Sequence, residues 1–170
     1  MSLESVRAWL GTHAPDLPII ETEARTATVL EAADALGVAP GQIAKTLALR
    51  IDDRIVLLVT RGDTRLDNLK TKAAFRARPR MLDAEETFAV TGHRVGGVCP
   101  FGLATSVPIY CDISLHAFDT VYPAAGSLNS SVRVAPDRLA DLVGAQWIDI
   151  CRLPEAEPDR HQALTKTPAG

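Results

Sequence analysis

Between Gly92 and Gly102 the chain reads Gly-His-Arg-Val-Gly-Gly-Val-Cys-Pro-Phe-Gly, with four glycines and a proline among eleven residues. Neither a helix nor a regular strand runs undisturbed through such a segment. Glycine permits positive φ and lets backbone N–H groups come close to a ligand, while proline holds φ near about −65°. The stretch is therefore a loop suited to presenting main-chain donors, and the rest of the chain must supply a scaffold that fixes it. A glycine-rich loop alone is a weak signal; its meaning depends on which residues share a site with it.

A chain of 170 residues is long enough for one domain with a substantial core and short for two. With 46% hydrophobic and 23% charged residues it reads as an ordinary soluble domain. No apolar run approaches the roughly 18 residues that a membrane span requires. The start, Met1-Ser2-Leu3-Glu4-Ser5, lacks the basic and apolar regions of a signal peptide, so a cytoplasmic location is expected. Cys99, Cys111 and Cys151 are odd in number and far apart. That pattern argues against a disulfide framework and against a zinc site, and no metal or cofactor is expected. A net charge of −3 gives no global attraction to nucleic acid, so an RNA partner needs a local basic patch.

Ser2 is placed to cap an amphipathic helix carrying Val6, Trp9 and Leu10, which ends at His13-Ala14-Pro15. Pro18 to Glu21 reads as a short strand. Thr28-Val29-Leu30-Glu31 has capping-box spacing, and Gly37 supplies the stop. Ile43 to Arg50, a turn at Asp52-Asp53 and Ile55 to Val59 form a hairpin candidate. Asp67 and Asp83 are positioned to cap two further helices. Val107 to Asp112, Val121-Tyr122, Val132 to Val134 and Trp147 to Cys151 read as strands, with a helix from Pro136 closed by Gly144. The irregular mixture predicts an α/β (α+β) fold with a mixed, partly closed, barrel-like sheet flanked by helices. Residues 1–152 are expected to form the single domain, and the Pro-, Glu- and Lys-rich residues 153–170 a flexible tail.

A strand over Ile43 to Leu49 places Lys45, Leu47 and Leu49 on one side and Ala44, Thr46 and Ala48 on the other. The lysine thus shares a face with two leucines. An ammonium there must be paired, neutral or at a cavity mouth, because an isolated one is costly to desolvate. Pattern alone leaves open the plainer arrangement, a lysine at a strand end reaching water over its stem.

Gln42-Ile43-Ala44-Lys45-Thr46-Leu47, combined with the loop from Gly92 to Gly102, resembles the YbaK family of free-standing aminoacyl-tRNA deacylases. That family is related to the editing domain inserted into bacterial prolyl-tRNA synthetases. Arg25-Thr26-Ala27 resembles its start; Gly126-Ser127, the strand through Val132 to Val134 and Ala135-Pro136-Asp137-Arg138-Leu139 resemble its end. The similarity covers roughly residues 18 to 152.

The resemblance implies a single α/β domain that hydrolyses the ester joining a wrong amino acid to tRNA, typically a proline tRNA, without a metal or a covalent nucleophile. Lys45 matches the family's essential lysine, which implies a catalytic role on the terminal phosphate–ribose or the developing negative charge. Thr26, Gly96, Gly97, Val98, Cys99, Pro100, Phe101, Gly102, Ser127 and Asn129 are the implied substrate-binding positions. Chemistry supports such roles: ester hydrolysis passes through an oxyanion, and a fixed N–H donor aimed at it is worth about 3–4 kcal/mol. The implied mechanism is attack by water deprotonated by a substrate group such as the free ribose hydroxyl. Some relatives carry a histidine where this chain has Asn129, which cannot act as a base near neutral pH, though its amide can orient a substrate amine or water. Val98, Cys99 and Phe101 are expected to shrink the pocket.

Cys99 as a nucleophile lacks an evident paired base, His93 being near in number only. Cys111 and Cys151 lie in apolar strand contexts and are expected in the core. His116 and His161 have no ligand-spaced partners. Asn68 to Leu82 carries Lys70, Lys72, Arg76, Arg78 and Arg80 without a single acid; it is either a track for tRNA phosphates or a solvated helix face. The expected partners are a mischarged tRNA and prolyl-tRNA synthetase, with no membrane. A non-catalytic module binding aminoacyl-tRNA or a synthetase is the alternative to the hydrolase.

Overall fold

The β-hairpin expected near the chain's centre is the spine of the structure. A computed structural model describes residues 2–154. In it, β2 (Ile43–Ile51) and β3 (Arg54–Arg61) pair antiparallel along their whole length, Ala44 opposite Arg61 and Ile51 opposite Arg54. Six strands make a mixed sheet. β6 (Ile109–Asp112) joins β3 in parallel, and β9 (Gln146–Ile148) joins β6 in parallel. The other edge of β2 is covered in two places, by β7 (Tyr122–Pro123) in parallel at Ile43–Ala44 and by β5 (Arg80–Met81) antiparallel at Leu49–Arg50. Two small antiparallel pairs complete the strands: β1 (Ile19–Glu21) with β8 (Ser130–Val132), and β4 (Arg65–Leu66) with β10 (Cys151–Arg152). Bridges Ala124–Ser131 and Val121–Val134 extend the layer from β7 toward β8, and the sheet stays open rather than closing into a ring.

β3 reads Ile-Val-Leu-Leu-Val because both of its faces are covered. Val56 and Leu58 pack with Leu49, Ile51 and Ile150 on one side. Val59 packs on the other with Val6, Leu10, Phe101, Leu115 and Leu139, which come from α1 (Ser2–His13), the glycine loop, the 3-10 turn Ile113–Ala117 and α5 (Pro136–Val143). Three helices start where their capping residues predict. In α2 (Val29–Leu36), Thr28 Oγ1 accepts from Glu31 N–H at 3.1 Å and Glu31 Oε1 accepts from Thr28 N–H at 3.2 Å. Asp67 caps α3 (Asn68–Phe75) and Asp83 caps α4 (Ala84–Thr91) through the N–H groups of Lys70 and Glu86. Gly92, at φ 77°, ends α4 in the left-handed region and turns the chain into the glycine loop.

Some boundaries differ from the sequence reading. Ser2 is the first residue of α1 rather than its cap, and its hydroxyl bonds His93 Nδ1 instead. The strand expected at 132–134 lies at 130–132. The strand expected over 147–151 is broken: Asp112 Oδ1 accepts from the N–H groups of Ile150 and Cys151 at 2.9 and 3.2 Å. That capture pulls the chain off β9 and sends Cys151 across to Leu66. The tail assigned to residues 153–170 lies outside the described residues from 155 onward. No helix among the described residues is long and apolar enough to cross a membrane.

Candidate functional site

The two strands that cover one edge of β2 leave a gap. Pairing with β7 stops at Ala44, and on the other side Leu82 N–H reaches the Ala48 carbonyl at 3.0 Å. Backbone groups alternate in direction along a strand, so Thr46 turns its N–H and C=O to the same edge as Ala48. At Thr46 no strand among the described residues covers them. A cavity of about 200 Å3 opens there. It is walled by the start of α2 with the preceding Thr26 and Ala27, by the glycine loop at Val95, Gly96 and Val98, and by Tyr122, Ala124 and Ser131. The polar residues around it carry hydroxyls (Thr26, Thr28, Thr46, Thr87, Tyr122 and Ser131), and Lys45 is the one charged residue among the described residues that borders it.

Lys45 stands opposite Thr60 in the hairpin, so its side chain rises on the face away from Thr46. There Nζ donates to the Thr64 carbonyl at 2.5 Å, a group held in place by the Thr64–Thr60 hydroxyl bond of 2.9 Å and by Thr64 N–H to Arg61 C=O. Burial is the leading influence on this half-buried ammonium and lowers its pKa; Cys151 and Asp63 pull the other way, and Arg65 adds to the lowering. An ammonium has three donors. Thr64 takes one.

The glycine loop does not act as one uniform wall. Gly96 and Val98 border the cavity. Gly97 is buried at the contact between two loops: its N–H donates to the Arg94 carbonyl, and its carbonyl accepts from Gly126 N–H at 3.1 Å. Cys99 and Phe101 are both 0% exposed and sit in the core beside Val6 and Leu10, so neither shrinks the cavity as the sequence reading had them do. Apolar side chains in a loop pinned by proline bury themselves under it. Pro100 and Gly102 face a groove beside Trp9 and His13 on the far side.

Thr26 borders the cavity and is tied to the second loop, its N–H donating to the Leu128 carbonyl at 2.6 Å. Ser127 and Asn129 do not border it. Asn129 Nδ2 donates to the Thr22 carbonyl at 2.8 Å, and Ser127 Oγ donates to Asn129 Oδ1 at 3.1 Å. Their polar groups are spent on fastening that loop to the segment before α2.

His93, read from the sequence as near to Cys99 in number only, touches it: Sγ lies 3.5 Å from Nε2. The pair is nonetheless unsuited to nucleophilic chemistry. Burial pushes the Cys99 thiol up to about 12 and lowers the pKa of His93, whose Nε2 donates to the Phe101 carbonyl at 2.7 Å. Cys111 and Cys151 are also buried free thiols.

The basic segment divides. Lys70 is committed to Asp149 at 2.9 Å and to the Cys151 carbonyl at 3.0 Å. Lys72, Arg76 and Arg78 are exposed around one groove at the end of α3, and Arg80 is exposed on β5 beside Arg50. Thr46 and Ser131 were missed as site residues. The signal for Thr46 was present: a lone hydroxyl between Ala44 and Ala48 on the face opposite the lysine.

A mixed α/β layer with a small hydroxyl-lined cavity between strand edge, glycine loop and capped helix defines the class of fold to which this chain is matched. Residues 23–142 match the aminoacyl-tRNA editing domain, and the chain belongs to that family. It is 42% identical over 154 residues to the uncharacterized protein YwhH of Bacillus subtilis, covering 89% of this chain and 98% of that one. It is 30% identical over 136 residues to a proline–tRNA ligase of a Geobacillus species, covering 77% of this chain but only 23% of the ligase. The chain thus spans about a quarter of the length of such ligases. A crystal structure described as a "putative trans-editing enzyme for prolyl tRNA synthetase" superposes with a TM-score of 0.81 at 34% identity, over 89% of this chain and 97% of that one. The hypothetical protein APE2540 superposes at 0.79 with 29% identity, over 87% of this chain and 99% of that one.

Proposed function

We propose that the protein is a free-standing aminoacyl-tRNA deacylase that hydrolyses the ester of a proline tRNA carrying a small non-cognate amino acid. The observation that carries this reading is the cavity's chemistry. It has room for a small aminoacyl group and, among the described residues, one bordering cation and no carboxylate or imidazole in its lining. Such a site cannot supply a side-chain general base, so the proton of the attacking water passes to the substrate, to the ribose hydroxyl next to the ester. The family of this chain and its likeness to the ligases support the choice of ester and of tRNA.

In this scheme the Val98 N–H, which has no partner among the described residues, donates to the developing oxyanion. Gly97 N–H is excluded because Arg94 holds it. Lys45 supplies positive charge from across the uncovered edge of β2. Leaving the Thr64 carbonyl to reach the substrate sacrifices one hydrogen bond, about 1 kcal/mol net, which a charge-assisted contact to phosphate or oxyanion offsets. Lys72, Arg76 and Arg78 track the tRNA backbone. Residues 1–152 act as a single editing domain.

The test is a panel of mischarged tRNAs with ester loss followed by wild type. Loss from a proline tRNA bearing a small wrong amino acid, with the prolyl ester spared, is expected. Tight binding without loss of any ester would replace the hydrolase with a binding module. Replacing Lys72, Arg76 and Arg78 by glutamine is expected to lower the slope of log affinity against log salt by about 2; an unchanged slope removes the track.

A further inference from the structure

Two arginines face each other on a strand pair only two residues long. Between β4 and β10, Leu66 stands opposite Cys151 and Arg65 opposite Arg152. Leu66 and Cys151 turn inward and join the cluster of Leu49, Leu58 and Ile150. The adjoining pair therefore points the other way. Arg65 and Arg152 are exposed, and both border one groove of about 490 Å3. Like charges directly opposite each other on paired strands are destabilising. Among the described residues neither arginine has an ion-pair partner. Asp63, the one acid among the described residues that border the groove, is already taken. Its carboxylate oxygens accept from Arg61 Nε and Nη2 at 2.6 and 3.0 Å.

A third cation reaches the same place. The Thr64 carbonyl, on the peptide bond to Arg65, accepts from Lys45 Nζ at 2.5 Å. The Arg65 charge is near enough to that ammonium to lower its pKa. Lys45 also borders the cavity. The strand pair meets α3 as well, where Lys70 Nζ donates to the carbonyl of Cys151, the residue before Arg152. The two arginines are thus linked both to the cavity's ammonium and to the helix that carries Lys72. A guanidinium is a planar fork of donors that fits phosphate oxygens two at a time. Two forks on one groove suit a single phosphate held from both sides, whose charge offsets their repulsion.

We propose that Arg65 and Arg152 clamp a phosphodiester of the aminoacylated strand, one that lies past Lys45 when the ester is seated in the cavity. This rests on the deacylase reading above and adds to it a phosphate site outside the α3 groove. The strand leaves the cavity over the uncovered edge of β2, passes Lys45 and reaches the arginines before it meets α3.

The test compares two alanyl esters, one on adenosine, which has no phosphate, and one on the trinucleotide CpCpA. Single-turnover deacylation of both is measured for wild type and for the double variant Arg65→Gln/Arg152→Gln. Wild type is expected to favour the trinucleotide, and the double variant to lower that preference by about tenfold or more. The slope of log affinity for the trinucleotide against log salt should fall by about 0.7, the share of one single-stranded phosphate. Relieved of the repulsion, the variant melts no lower than wild type at low salt. A wild type that handles both esters alike, or a variant that keeps the preference, overturns the proposal and leaves the deacylase reading standing. Loss of neither ester overturns that reading instead. Calorimetry with the 3′-alanyl-amido trinucleotide then decides on the arginines: equal affinity in the variant overturns the clamp, and weakening by about tenfold or more supports it. Inorganic phosphate tests the other source of the same chemistry. Phosphate binding as tight as the trinucleotide's and lost in the variant overturns the strand as the ligand; weaker binding supports it.

Discussion

Adding a single methyl group at Gly97 probes the contact between the two loops that shape the cavity. A Cβ there would lie 2.7 Å from the carbonyl carbon of Gly126 and 2.8 Å from the Ser127 nitrogen. Both are backbone atoms, so no side chain can rotate aside. Gly97 does not have positive φ, and alanine therefore meets no conformational strain of its own. What remains is the clash. Overpacking of this kind costs about 1–3 kcal/mol. Forcing the loops apart also lengthens the 3.1 Å bond from Gly126 N–H to the Gly97 carbonyl, worth about 1 kcal/mol net. Gly97→Ala is expected to lose about 2–4 kcal/mol, which lowers Tm by roughly 4–16 °C in a domain of this size. Gly11→Ala is the control, because nothing lies within 4 Å of its Cβ and it sits inside α1; a gain of about 0.5–1 kcal/mol is expected. Urea denaturation of both variants reads the two numbers. A Gly97→Ala protein within about 0.5 kcal/mol of wild type would refute the loop contact and the cavity wall built on it.

Burial raises all three thiols, Cys99 and Cys111 to about 12 and Cys151 to about 11. None should react with a thiol reagent at pH 8 in the folded protein, and all three should react in urea; rapid labelling of Cys99 in the native state would contradict its place in the core. Because these thiols ionise later in the folded than in the unfolded chain, their contribution to stability is complete below pH 9 and declines between about pH 9 and 12. His93 works in the opposite direction. Its pKa is lowered from 6.5, chiefly by burial, so the unfolded chain takes up the proton first and stability falls as pH drops below 6.5. Denaturation between pH 7 and 5 is expected to show a shallower acid decline in His93→Gln than in wild type, and equal slopes would remove His93 from the account.

Much of the frame was legible because it is written in local chemistry. Thr28 with Glu31, Asp67 and Asp83 declare helix starts, and Asp52-Asp53 between two β-rich runs declares the central hairpin. The lysine and the glycine loop marked the neighbourhood of the site. The interior arrangement was not legible, because it depends on groups distant in sequence. Asp112 breaks a strand by capturing N–H groups at Ile150 and Cys151, about forty residues on. Phe101 and Cys99 turn inward because α1 supplies Val6 and Leu10 as their cover. Asn129 is consumed by Thr22. The cavity itself arises from a stretch of β2 that neither β5 nor β7 covers, and no pattern within β2 announces where its neighbours stop.

The central claim is that this cavity hydrolyses an aminoacyl ester with Lys45 as its charge. Single-turnover deacylation by Lys45→Ala tests it most directly. The Lys45 side chain makes one hydrogen bond, to Thr64, so the variant should stay folded and bind tRNA. Its rate should fall by roughly 10²–10³, the loss seen when one stabilising group is removed from an oxyanion. A folded Lys45→Ala protein that releases the amino acid as fast as wild type would contradict the account.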